Sequence, residues 1–183
     1  MDISELFINF AAVKRTKTMK FELADLTNFF ERDDGTCKGH VYSVIIGDEE
    51  DTIFGQFIAE NETQYSEEIE EILNRLTVMV QDTGFLRNQF KHNEGAAGDG
   101  VAALRVKQMR LYLYYNDRTA IIVGSGGYKP PEAHAYQEVP ELNKKAGLMK
   151  SIAKAIGDAV KERDLWFLED GSIEETEFLD LQI

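Results

Sequence analysis

Hydrophobic positions along this chain repeat with two different periods. HVYSVII (40–46), VAALRV (101–106), MRLYLYY (109–115) and TAIIVGS (119–125) are short apolar runs rich in β-branched and aromatic residues, which predicts strands. Asn116-Asp117-Arg118 and Lys107-Gln108 are hairpin connections, so the last three runs form an antiparallel meander. Between the first run and the meander the period changes to that of a helix. Ile53, Phe54, Phe57 and Ile58 recur at helical spacing after Asp48, a plausible N-cap, and end near Asn61. From about Ser66 a second stripe follows: Ile69, Ile72, Leu73, Leu76, Met79 and Val80, with Gly84 as its stop. Joined by Glu62-Thr63-Gln64, the two make a helical hairpin. Pro140 opens a final helix whose buried face is Leu142, Met149, Ile152, Ala153, Ile156 and Val160.

The ends are less regular. ELFINFAAV and MKFELADL read as strands on either side of Lys14-Arg15-Lys17, and Asp25 to Phe30 reads equally as a short helix. FLRNQFKHN (85–93) reads as extended, and EGAAGDG as an exposed glycine loop. Trp166-Phe167-Leu168 and Phe178-Leu179 read as short docking strands around Asp170-Gly171. The expected organisation is an N-terminal extension over 1–38, an α+β core over 39–165 and an acidic tail over 166–183. In that core the helical hairpin packs with a twisted antiparallel sheet.

Charge changes the picture at the meander. Residues 84–129 hold seven cations against three acids, within a chain of 183 residues and net charge −13. Such an acidic chain does not suit broad, nonspecific binding along nucleic acid, but a local basic sheet suits a focused anion site. A half-exposed sheet with a solvated basic face explains the same composition. Cys37 is the single cysteine, which fits a reducing cytoplasm and rules out an internal disulfide. No secretory leader is expected at Met1–Lys20, and no run reaches the ~20 apolar residues of a membrane span.

Several motifs fail on spacing. Gly124-Ser125-Gly126-Gly127-Tyr128-Lys129 lacks the Walker pattern, and Pro130-Pro131 prevent a helix from following it. Ser125 is not in a nucleophile elbow. His40, His92 and His134 have no partner at a metal-ligand spacing, so no metal or other cofactor is expected. Cys37 reads as a plain thiol, and the Glu runs as solvated faces. There remain Arg87, Lys91, His92, Arg105, Arg110 and Lys129, with Tyr112 and Tyr128 nearby. Alternation puts Arg110, Tyr112 and Tyr114 on one face, expected to be a polar surface of cations and rings. RNA cleavage by the 2′-hydroxyl uses such groups: a base, an acid, cations for the extra phosphate charge, and rings that stack unpaired bases.

FKHNEG (90–95), VAALRV, MRLYLYY and IIVGSGGYK (121–129), followed by QEVPELNK, resemble the R-H-E-G, V-x-A-L, L-R-L-Y and I-L-G-x-G-G-x-K blocks of a phage-derived RelE-like group of Bacteroidetes. That group lies within the RelE/ParE/HigB toxin superfamily, and the likeness spans about 40–165. It implies a RelE-like α+β fold, ribosome-dependent cleavage of messenger RNA without a metal, a cytoplasmic bacterial setting, and a small helix-turn-helix antitoxin as partner. Carried over by position, Arg110 and Lys129 contact phosphate and His92 moves the proton. Arg87, Lys91, Arg105, Tyr112 and Tyr128 bind substrate. Typical members are shorter and basic. The competing readings are a noncatalytic protein-binding module on the same fold and a gyrase poison of ParE type.

Overall fold

A computed structural model describes residues 18–92, 99–174 and 179–182. The ELFINFAAV strand, the patch Lys14-Arg15-Lys17, Phe178 and most of the EGAAGDG loop fall outside the described residues. The elements are β1 (Thr18–Asp25), β2 (His40–Ile46), α1 (Ile53–Asn61), α2 (Ser66–Val78), β3 (Val101–Val106), β4 (Met109–Tyr115), β5 (Ala120–Tyr128), α3 (Pro140–Glu162), β6 (Trp166–Phe167), β7 (Ile173–Glu174) and β8 (Leu179–Gln182).

Six strands form one sheet in the order β3-β4-β5-β2-β1-β8, and β6 and β7 form a separate two-stranded ribbon. The large sheet is antiparallel except where β2 runs parallel to β5, pairing His40 with Ala120 and Tyr42 with Ile122. The parallel pair needs a long crossover, which the helical hairpin and the first two meander strands supply. β1 lies inside the sheet between β2 and β8, so Thr18–Asp25 and Leu179–Gln182 both contribute strands to it.

Side-chain alternation divides the core into two layers. One face carries Ala102, Leu104, Met109, Leu111, Leu113, Ile121 and Val123 against Phe54, Phe57, Ile69, Ile72 and Leu76 of the helical hairpin. The other carries Val101, Ala103, Tyr112, Ala120 and Ile122 against Leu142, Met149, Ile152 and Ile156 of α3. The result is a mixed α+β protein with helices on both faces of the sheet.

Local chemistry sets the details of these elements, and Gly84 ends the second helical stripe as expected. Thr52, not Asp48, caps α1: its side chain accepts a bond from Gly55 N, while Asp51 accepts one from Thr52 N at 2.7 Å. After Val78 the helix widens into a π turn over Met79–Thr83, which buries both Met79 and Val80 before Gly84 stops it at φ 67°. Over 85–92 the segment expected to be extended instead forms a 3₁₀ turn at Arg87–Gln89, with Leu86 N donating to Gln89 Oε1 at 2.8 Å, and it bridges to the sheet where Lys91 meets Ala103. On α3, Val160 is exposed and Ala159 takes the buried position.

Candidate functional site

β4 and its neighbours position most of the sequence-derived site residues, and they separate them into two groups. Arg110 pairs with Gly127 on β5 and with Arg105 on β3, at the start of β4. Lys129 follows directly, its backbone N donating to Gln108 O at 2.9 Å and its ammonium donating to Ala133 O. Arg110, Gly127 and Lys129 thus share one end and one side of the sheet. Glycine is required here: a Cβ on Gly126 would lie 1.8 Å from Arg110 O.

That side is not the polar surface expected from alternation. Arg110 is 2% exposed and Tyr112 0% exposed, and Tyr112 belongs to the layer that α3 covers. The Arg110 guanidinium donates through Nη1 to Lys107 O at 3.0 Å and Met109 O at 3.1 Å. Tyr112 packs edge-on against Tyr136 at 5.7 Å, and Lys150 Nζ donates to the Tyr136 hydroxyl at 2.9 Å. Alternation assigned the face correctly; it carries no information about which element covers it. Arg105 stays exposed. Tyr128 points to the opposite face, stacked on Tyr65 at 5.0 Å and 7°.

The second group surrounds Tyr115 at the far end of β4. Arg87 lies over its ring at 6.0 Å, and His92 meets it edge-on at 5.1 Å. His92 Nε2 donates to Arg87 O at 2.8 Å, since a carbonyl can only accept. The Tyr115 hydroxyl donates to Phe85 O at 2.8 Å, and burial pushes it up against the opposing pull of Arg87. Lys91 is exposed and held by its backbone bridge to Ala103. Arg110 and Tyr115 lie five residue steps apart along β4, about 17 Å at ~3.4 Å per residue. The structure therefore brings Arg87 and His92 together, and Arg105, Arg110 and Lys129 together. His92 does not reach the Arg110–Lys129 group, so the three expected catalytic residues do not meet.

A cleft of about 520 Å³ opens between α2 and the 3₁₀ turn, lined by Arg75, Val78, Met79, Asn88, Gln89 and Leu104 among others. Arg75 crosses its wall to donate to Arg105 O at 3.1 Å.

One cluster lies outside the expected site residues. Cys37 Sγ and His40 Nε2 lie 3.8 Å apart, and His40 Nδ1 lies 3.4 Å from Thr27 Oγ1. Tyr42 stacks on His40 with the rings 6.2 Å apart and donates its hydroxyl to Gly171 O at 3.0 Å. Burial pushes the Cys37 thiol up, and the carboxylates of Glu31, Asp170 and Asp25 push the same way. Asp170 is held low by its bonds from Ser172, with a smaller contribution from His40. The available signal was the spacing Cys37-Lys38-Gly39-His40, which puts a thiol and an imidazole three residues apart just before a strand.

Compared with known proteins, the chain matches no protein-family model, no curated protein and no solved structure. No helix among the described residues is long and apolar enough to cross a membrane.

Proposed function

We propose that this chain is a RelE-like toxin of a toxin–antitoxin module that cuts messenger RNA on the ribosome, in the cytoplasm of a bacterium. The observation that carries the reading is the order of elements. A strand, a helical hairpin and an antiparallel meander, the order implied by the resemblance, occur as β2, α1–α2 and β3–β4–β5. The Arg105, Arg110 and Lys129 cations at one end of that meander suit the phosphate charge that builds up when a 2′-hydroxyl attacks. A helix-turn-helix antitoxin is the expected neutralising partner.

α3 sets a condition on this activity. Burying Leu142, Met149, Ile152 and Ile156 contributes roughly 1.5–3 kcal/mol each, so the four hold α3 down with about 6–12 kcal/mol. RNA reaches Tyr112 under α3 only when a partner such as the ribosome favours an open state by a comparable amount. The burial of Arg110 and Tyr112 favours a second reading, a noncatalytic protein-binding module on the same fold.

Growth on induced expression in a bacterial host separates the two. A nuclease arrests growth, and Lys129→Ala and Arg105→Ala relieve the arrest while the variants keep the melting temperature of the parent. Arg110→Ala also removes bonds to two carbonyls, so its effect on growth is read only after its stability is measured. Soluble protein without arrest supports the binding module.

A further inference from the structure

The cleft between α2 and the Arg87–Gln89 turn is lined by none of the side chains assigned to the chemistry on the meander. We infer that it takes one unpaired nucleobase of the adenine class, read by the carboxamides on its walls.

Size and surface come first. The volume, about 520 Å³, lies within the ~300–1,000 Å³ of small-molecule sites. Met79 and Leu104 are buried beneath the opening, and Val78 stays 49% exposed on its wall. These apolar surfaces suit the faces of a flat ring.

Charge then narrows the class. Glu71 and Arg75 are the charged residues of the lining, and they pair with each other at 2.7 Å. A lining whose charges cancel does not select a phosphate, so the part of a nucleotide that enters is the uncharged base. The remaining polar groups are the carboxamides of Asn74, Asn88 and Gln89. A carboxamide sets a donor beside an acceptor in one plane, the pair that reads N6 and N7 of adenine. Asn74 and Asn88 are exposed and free to turn toward a ring. Gln89 Oε1 already accepts from Leu86 N, so this side chain offers its amide donor. Guanine presents two acceptors, which suit a bidentate arginine instead. Arg75, the arginine of this lining, gives Nε to Glu71 and Nη1 to Arg105 O. The preference therefore falls to adenine.

Two features of the fold bear on the source of the base. α2 widens into its π turn at Met79, on the cleft wall, and such turns recur at functional sites. Leu104 precedes Arg105 on β3, which is an edge strand of the sheet. A strand of RNA whose base enters the cleft can pass its phosphate around that edge to the exposed Arg105. This last step rests on the RNA reading above; the base site itself does not.

The test titrates the full-length chain, without ribosomes, with adenosine, guanosine and cytidine, read by calorimetry and saturation-transfer NMR. The expected result is one adenosine per chain, bound at least ten-fold more tightly than the other two nucleosides. The Asn74→Ala/Asn88→Ala double variant, with the melting temperature of the parent, loses at least ten-fold in adenosine affinity. Hexa-adenylate RNA that binds more tightly than adenosine, with the gain lost in Arg105→Ala, assigns the base to an RNA chain. Adenosine monophosphate that binds as tightly as the RNA assigns it to a free nucleotide. No saturable binding, equal binding of the three nucleosides, or an affinity unmoved in the double variant overturns the inference. Messenger cleavage is not read in this assay, so a failure here is distinct from a failure of the nuclease reading.

Discussion

A single methyl group added at two glycines has opposite consequences in this structure. At Gly126 a Cβ would sit 1.8 Å from Arg110 O, 2.8 Å from Arg110 C and 3.1 Å from Leu111 Cα, all backbone atoms of β4. No rotamer relieves that overlap; only separating β4 from β5 does, and the separation breaks ladder bonds in a dry layer. Each buried backbone group left unbonded costs about 1–3 kcal/mol, so losing two or three puts Gly126→Ala at roughly 4 kcal/mol or more. Against a typical total of about 5–15 kcal/mol, that is a severe loss. At Gly147, inside α3, a Cβ would meet nothing within 4 Å. There alanine gains about 1 kcal/mol of helix propensity, a rise of about 2–4 °C in melting temperature for a chain of this size. Urea and thermal unfolding followed by far-ultraviolet circular dichroism read both. A Gly126→Ala variant within 1 kcal/mol of the parent refutes the β4–β5 register. A destabilised Gly147→Ala variant refutes the packing of α3.

Three further outcomes follow from local geometry. Arg163 closes α3 at φ 66° and ψ 28°, in the left-handed region, so Arg163→Gly raises stability by about 0.5–1 kcal/mol in chemical unfolding. Thr52→Ala removes the cap that accepts from Gly55 N at 3.0 Å and costs about 1 kcal/mol in the same assay. Burial pushes the Tyr42 hydroxyl far above its ordinary value, with Asp25 adding to the effect. The unfolded chain therefore releases this proton first, so stability is complete below pH ~10 and falls above it by up to ~1.4 kcal/mol per pH unit. Tyr42→Phe flattens that alkaline decline, and an unchanged slope between the two proteins contradicts the assignment.

The meander and the helical hairpin were readable because their signals are local. Apolar residues at period two around Lys107-Gln108 and Asn116-Asp117-Arg118 fix β3 to β5, and Ile69, Ile72 and Leu76 fix α2. Strand alternation also grouped Arg110 with Tyr112 correctly. What covers that face is a long-range fact: Tyr112 is a core residue only because α3, beginning 28 residues later, returns across the sheet. A tyrosine or arginine on a strand looks the same in sequence whether its other side meets water or a helix. The pairing of β1 with β8 is long-range in the same way, since the two strands come from opposite ends of the chain. Cys37 and His40 stand three residues apart in sequence, and residue type alone does not show that their side chains meet. Thr52 rather than Asp48 caps α1 because three capping residues, Asp48, Asp51 and Thr52, precede Ile53 within five positions, and sequence alone does not rank them.

Mapping messenger ends after a brief induction of the chain in a bacterial host tests the central claim most directly. The account predicts new ends within translated codons, confined to ribosome-engaged messages and lost in Lys129→Ala. Abundant, folded protein that leaves the messenger ends unchanged contradicts it, and assigns the meander and its cations to binding alone.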